Sequence, residues 1–306
     1  MSHVTLGAMT KESLVDPGTG RKFYLDYPAD LTETEPVTLV LSLHGAGSFA
    51  AWQRLYFPAF DCAGSHRLVI ATPTAATAEP VRRWLPEADD DHLVNVVEMV
   101  AARFGPARIA SFWIAGHSQG GLTANRLVSV PYFADRVDGY LSLSGGRLGP
   151  AGHVDGFGPP PAPGEPPRPR PQFSPPVLPA ADLSFIFAVG EYEIVGLPEA
   201  SPWAERYGAA SRVRLPDVID TEPGQVWDKY REGRSSPSWG LLPAPGIAQV
   251  YVYTGAAQGR VIADVVRLEK GHTEGLEPGI TRALVQMMVD APGGKLRSLS
   301  PGVARR

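Results

Sequence analysis

Apolar positions along this chain follow two rhythms, and the alternation between them predicts the fold. Residues 21–27 (RKFYLDY) alternate polar and apolar, the period of a strand with one exposed face. Residues 37–43 (VTLVLSL) and 67–72 (RLVIAT) are nearly continuous aliphatic runs, as strands buried on both faces require. The rhythm then changes. In the stretch HLVNVVEMVAARFG, Leu93, Val96, Val97 and Val100 recur at helical spacing. The acidic triplet Asp89, Asp90 and Asp91 is expected to cap that helix, and Gly105-Pro106 to end it.

The same reading continues to the end of the chain. It predicts strands over residues 107–115, 137–143 and 183–189, with a helix over 119–128. Residues 249–253 and 261–268 read as a late hairpin turning near Gly255 and Gly259, and 279–289 as a closing helix. Strands alternating with helices imply right-handed βαβ units. The expectation is therefore an α/β protein with a mostly parallel sheet. Antiparallel pairing is expected only near the start and in the late hairpin.

Composition interrupts this regularity in one place. The chain has 306 residues, and its 33 glycines and 31 prolines are about a fifth of them, against roughly 12% in average usage. Residues 157–176 (FGPPPAPGEPPRPRPQFSPP) carry much of the excess and read as an extended, polyproline-like surface segment. The expected organisation is one domain over 1–306. It has insertions at about 146–181, Pro-rich, and about 196–247, an aromatic-bearing lid.

Charge and cysteine usage narrow the function. A net charge of −4 argues against a nucleic-acid partner. The single cysteine, Cys62, excludes an intrachain disulfide and any cysteine-based metal cluster. No apolar run approaches the roughly 20 residues that span a bilayer, and the start shows no signal-peptide pattern. The expectation is a soluble, cytoplasmic protein with no membrane partner.

Candidate chemistry concentrates at Gly116-His117-Ser118-Gln119-Gly120-Gly121, a G-x-S-x-G sequence between a predicted strand and a predicted helix. A serine in so tight a turn needs neighbours without side chains, and Gly116 and Gly120 supply them. A serine hydroxyl also needs a base. Of seven histidines, His272 alone sits in a loop just beyond the last predicted strand, the edge where open α/β sheets hold ligands. The third member should be a carboxylate between Ser118 and His272. Glu193, three residues after Gly190, is favoured over Glu191, Asp217, Asp220 and Asp228. Oxyanion donors are expected from the N–H groups of Gln119 and of Ala46 in the loop His44-Gly45-Ala46-Gly47. His44, Gly45, Trp52, Trp203 and Trp227 are the candidate substrate-binding residues.

These motifs together (LHGAG, GHSQGG, the acidic strand end and GHTEG) resemble the α/β-hydrolase superfamily. Within it, the chain resembles serine esterases related to polyhydroxybutyrate depolymerases and feruloyl esterases. The resemblance spans about residues 21–289. The chain departs from that group in carrying Glu193 where aspartate is usual, and Thr273-Glu274-Gly275 where Trp-Pro-Gly follows the histidine. It implies an α/β-hydrolase fold and a cofactor-free, metal-free Ser-His-Glu esterase acting on a small-molecule or oligomeric ester. A lactonase or polyester depolymerase with the same triad is the alternative. A non-catalytic binding protein on the same fold is a remote one.

Overall fold

The structure is a computed structural model that describes residues 8–76, 81–150, 175–228 and 236–299. Ten strands organise it: β1 Met9–Val15, β2 Lys22–Pro28, β3 Val37–Leu43, β4 Leu68–Pro73, β5 Ile109–His117, β6 Gly139–Leu143, β7 Ser184–Gly190, β8 Arg212–Arg214, β9 Ile247–Tyr253 and β10 Ile262–Arg267. They form one sheet in the order β1-β2-β4-β3-β5-β6-β7-β10-β9-β8. Strands β4, β3, β5, β6, β7 and β10 are mutually parallel, and the pairings of β1, β2, β8 and β9 are antiparallel. The mostly parallel sheet with an antiparallel start and a late hairpin is as the hydrophobic rhythm predicts.

Burial explains which strands announced themselves. All seven residues of β3 are buried, and so are all seven of β7. Their alternate side chains feed two cores. Phe112 and Ile114 of β5 enter one, with Leu93, Val96, Val97 and Val100 of the helix Pro86–Phe104. Trp113 and Ala115 enter the other, with Ile280, Leu284, Val285 and Met288 of the closing helix. By contrast β1 (MTKESLV) has no fully buried residue, so no apolar stripe betrayed it. The pieces 212–214 and 218–219, inside the expected lid, are too short to show a period. They extend the sheet by pairing with β9, so this part of the insertion belongs to the sheet.

Five helices bear on the cores and the sheet edge: α1 Ala50–Tyr56, α2 Pro86–Phe104, α3 Gln119–Leu127, α4 Pro202–Arg206 and α5 Pro278–Asp290. Helix α2 begins three residues before the acidic triplet, with proline in its first turn and Leu85 at the cap position. The expected cap is thus displaced, but its chemistry survives in part. The buried Asp89 carboxylate accepts the N–H groups of Leu85 (2.7 Å) and Ala76 (2.9 Å) and pairs with Arg21 at 2.7 Å. Gly105 ends the helix at φ +83°.

The order of strands decides where a site can form. From β3 the chain crosses outward to β4, then returns to the other side of β3 as β5. The connections diverge between β3 and β5, and a crevice opens at such a switch point outside the carboxyl ends of the strands. No helix of the described residues is long and apolar enough to cross a membrane. The Pro-rich segment falls mostly outside the described residues, as do His153, Arg168, Arg170 and Tyr230.

Candidate active site

Four parallel strands and the final one deliver residues to this edge: the loop 44–49 follows β3, Ser118 follows β5, Ser144 follows β6, Glu193 follows β7 and His272 follows β10. The turn after β5 is sharp. Ser118 has φ 54° and ψ −119°, a conformation that costs a non-glycine residue about 1–3 kcal/mol. Its N–H donates to the Leu143 carbonyl at 2.8 Å, which ties the turn to β6. The flanking glycines are sterically required. A Cβ on Gly116 would lie 2.3 Å from the Gly120 carbonyl oxygen, and one on Gly120 would lie 2.5 Å from that of Leu43.

The turn lifts the Ser118 hydroxyl to His272, whose Nε2 stands 2.8 Å from Oγ. On the other side of the ring, His272 Nδ1 lies 2.6 Å from Glu193 Oε2. A carboxylate only accepts, so Nδ1 carries the proton and Nε2 is left to accept from the hydroxyl. Glu193 is itself held. Its Oε1 accepts the Ser144 hydroxyl at 2.7 Å and the Gly190 N–H at 2.9 Å. Ser144, at φ 54°, is a second strained residue at the edge, and no sequence motif announces it.

The other carboxylates have different work. Glu191 accepts the Glu269 N–H at 2.9 Å and faces solvent. Asp217 pairs with Arg214 at 2.8 Å. Asp220 accepts the first N–H groups of α5, that of Ile280 at 3.0 Å. Asp228 accepts the indole N–H of Trp239 at 3.1 Å.

The loop after β3 is braced from within. His44 is fully buried: its Nδ1 donates to the Gly45 carbonyl at 2.7 Å, and its Nε2 accepts the Ala75 N–H at 3.0 Å. Burial pushes its pKa down to about 4, so it stays neutral. His44 therefore shapes the loop and does not face a substrate, contrary to the sequence expectation. Trp84 completes the brace. Its indole donates to the His44 carbonyl at 2.8 Å, and its backbone N–H and carbonyl bind both ends of the Gln119 side-chain amide at 3.1 and 3.0 Å. Gln119 is thereby locked at the first position of α3. Gly45 packs against the Ser118 turn, since a Cβ there would lie 3.1 Å from that of Ser118. Ala46 beside it is exposed.

The aromatic candidates divide. Trp203, on α4, is fully buried, stacked on Phe185 at 4.6 Å, with its indole donating to the Arg147 carbonyl at 2.7 Å. This corrects the expectation that it binds substrate. The ring gains more by covering the apolar underside of β7 than by standing in solvent. Tyr207 is buried in the same core. Trp52 is half-buried, stacked on Tyr56 at 4.9 Å and 5.4 Å from the His117 ring. Trp227 is half-buried in the segment that also carries Asp228. Trp239 is not among the substrate-binding residues expected from sequence, yet its ring lies 5.0 Å from that of His272.

The insertion grips the histidine loop backbone to backbone. The His272 N–H donates to the Ser238 carbonyl at 3.0 Å, that of Thr273 to Trp239 at 2.9 Å, and that of Gly275 to Val226 at 2.7 Å. A Cβ on Gly271 would lie 2.2 Å from the Pro237 oxygen, and one on Gly224 would lie 1.9 Å from that of Gly275. Beneath the loop, the buried Arg267 guanidinium pairs with Glu277 at 3.0 Å and donates to the Glu274 and Gly275 carbonyls at 2.8 Å. A cavity of about 480 Å³ lined by Ser201, Arg212, Arg214, Tyr251 and Tyr253 lies along β8 and β9, and the Ser118–His272–Glu193 group is not part of its wall. Among the described residues, no group of three His, Cys, Asp or Glu side chains could hold a metal ion.

No protein-family model and no curated protein matches the chain. Solved structures do. Acetyl xylan esterase from Aspergillus awamori is 11% identical, with 92% of this chain and 100% of that one covered and a TM-score of 0.51. The Staphylococcus aureus fluorophosphonate-binding serine hydrolase FphF is 21% identical over 45% of this chain, at a TM-score of 0.33. The match spans 57% of the length of FphF. Dienelactone hydrolase from Anabaena variabilis is 17% identical over 61% of this chain and 76% of that one, at a TM-score of 0.37. The chain has the α/β-hydrolase fold.

Proposed function

We propose that this protein is a serine hydrolase that cleaves carboxylic esters through Ser118, His272 and Glu193. One observation carries the reading: the unbroken relay from the Ser118 hydroxyl to His272 (2.8 Å) and on to Glu193 (2.6 Å), at the switch-point edge of the sheet.

In this mechanism the Ser118 oxygen attacks the ester carbonyl as His272 Nε2 takes the hydroxyl proton. The new C–O bond makes a tetrahedral oxyanion, which the N–H groups of Gln119 and Ala46 would hold. Glu193 keeps the imidazole in the correct tautomer and stabilises the imidazolium. Collapse breaks the bond to the leaving alkoxide, which takes the proton from His272. Water then repeats the attack on the acyl-enzyme, releasing the acid and restoring Ser118. A lactone enters the same cycle and releases a single hydroxy acid.

A chain-length series of p-nitrophenyl esters, from acetate to palmitate, tests the proposal with wild type and Ser118→Ala side by side. The expected result is a rate that falls by about 10⁴ to 10⁶ in the variant. A folded Ser118→Ala protein that keeps its rate would place the nucleophile elsewhere. A folded wild type inert on every ester and to a fluorophosphonate probe would refute the reading.

A further inference from the structure

The residue just before the nucleophile is a histidine that the triad chemistry leaves unused. His117 closes β5, and its imidazole is buried, 4% exposed. Its ring lies 4.0 Å from that of Tyr56, 5.4 Å from that of Trp52 and 4.9 Å from that of His272. Its Nε2 lies 2.8 Å from the backbone oxygen of His272. A carbonyl only accepts, so the His117 proton sits on Nε2. Its Nδ1 is buried with no hydrogen-bond partner among the described residues and faces the Cα of Gly45. Burial and the neighbouring His272 both disfavour a charge here, so the ring is neutral.

A phenylalanine would fill this space without an orphaned nitrogen. The imidazole leaves one polar atom unsatisfied, and what it gains is the bond to His272. That bond acts at the backbone of the residue whose side chain must span Ser118 and Glu193. The His272 N–H is already fixed to Ser238, and the His117 bond, much shorter than the 3.5 Å contact from the Tyr56 hydroxyl to the same oxygen, fixes the other side of the residue. His117 also touches all three parts of the site: it adjoins the nucleophile, supports the base and abuts Gly45 of the oxyanion loop.

We propose that His117 is a positioning residue, whose Nε2–H seats the backbone of His272 so that the imidazole reaches Ser118 and Glu193 together. The proposal rests on the reading of Ser118, His272 and Glu193 as the catalytic group. Mis-seating a reacting group by a fraction of an ångström lowers turnover more than substrate binding.

Three full-length variants test it. His117→Phe keeps an aromatic ring and removes the donor. His117→Gln restores an N–H near the Nε2 position, and His117→Asn falls short of it. Each is compared with wild type in kcat and KM on p-nitrophenyl acetate. Each is also compared in the low-field proton resonance of the His272 Nδ1–H bound to Glu193, with thermal melting as the control for folding. His117→Phe and His117→Asn should lose about 10- to 100-fold in kcat, with KM changed less than about twofold, and should shift or lose the resonance. His117→Gln should recover to within about fivefold of wild type and keep the resonance. If the phenylalanine variant fails to fold, the asparagine and glutamine pair makes the same comparison. Wild-type turnover in His117→Phe or His117→Asn, or glutamine no better than asparagine, would overturn the proposal. Should the wild type hydrolyse no ester, the esterase reading fails on its own, and the resonance still decides. A wild-type signal in the donor-less variants refutes the positioning role, and its loss with recovery in His117→Gln upholds it.

Discussion

Replacing Glu193 by glutamine changes one atom and should disable the site. The carboxylate now serves three donors: His272 Nδ1–H on Oε2, with the Ser144 hydroxyl and the Gly190 N–H on Oε1. An amide has one acceptor end and one donor end. If its oxygen stays with Ser144 and Gly190, its NH₂ faces His272 Nδ1. The imidazole then carries its proton on Nε2 and donates to Ser118, so it cannot take the hydroxyl proton. If the amide is reversed, its NH₂ opposes the Gly190 N–H and leaves that buried donor unpaired, at a cost of about 1–3 kcal/mol. The first arrangement wins, and it holds the wrong tautomer. The equivalent aspartate-to-asparagine change in the serine-protease triad lowers kcat by about 10⁴, or roughly 5.5 kcal/mol of transition-state stabilisation. A loss of that order in kcat on p-nitrophenyl acetate is expected for Glu193→Gln, with melting close to wild type. Glu191→Gln leaves an amide oxygen to accept the exposed Glu269 N–H and should cost less than about threefold. A Glu193→Gln protein within tenfold of wild type, or a larger loss at Glu191, would refute the assignment.

Three further outcomes are expected from the same geometry. Ser118→Gly should abolish turnover yet raise stability by about 1 kcal/mol in chemical denaturation, because glycine adopts φ 54° without strain; an unchanged or lower stability would show that the turn is unstrained. Gly120→Ala sets a Cβ 2.5 Å from the Leu43 oxygen, so it should destabilise by more than about 3 kcal/mol, or fail to yield folded protein, read by urea unfolding. Stability should fall on acidification from pH 6.5 toward 4. The unfolded His44 takes up a proton in that window, whereas the folded one, with its pKa near 4, does not, so each pH unit costs about 1 kcal/mol. The buried His92 and His117, whose pKa values also lie low, act in the same sense. Denaturant midpoints across this range in wild type and His44→Gln test it, the variant showing the shallower slope.

What the sequence made legible was local. The glycines around Ser118 follow from chain sterics within five residues, and β3 and β7 from runs buried on both faces. Ser118, Glu193 and His272 could be proposed because each follows a strand that hydrophobicity alone reveals. What it hid was tertiary. Trp203 and Trp239 look alike in sequence, yet one lies beneath the sheet and the other beside His272, and only the fold of the intervening chain separates them. Trp84 braces the loop after β3, and Ser144 holds Glu193, from segments with no motif of their own. His44 sits inside a motif but faces inward, because its two ring nitrogens are spent on Gly45 and Ala75.

The contacts of Gly224, Gly271 and Gly275 bear on how such a protein could be re-engineered. The insertion and the His272 loop share a seam in which a Cβ on Gly224 or Gly271 would lie 1.9 or 2.2 Å from a backbone oxygen. A transplanted loop would have to reproduce that seam residue by residue, or it would dislodge His272 along with the original specificity.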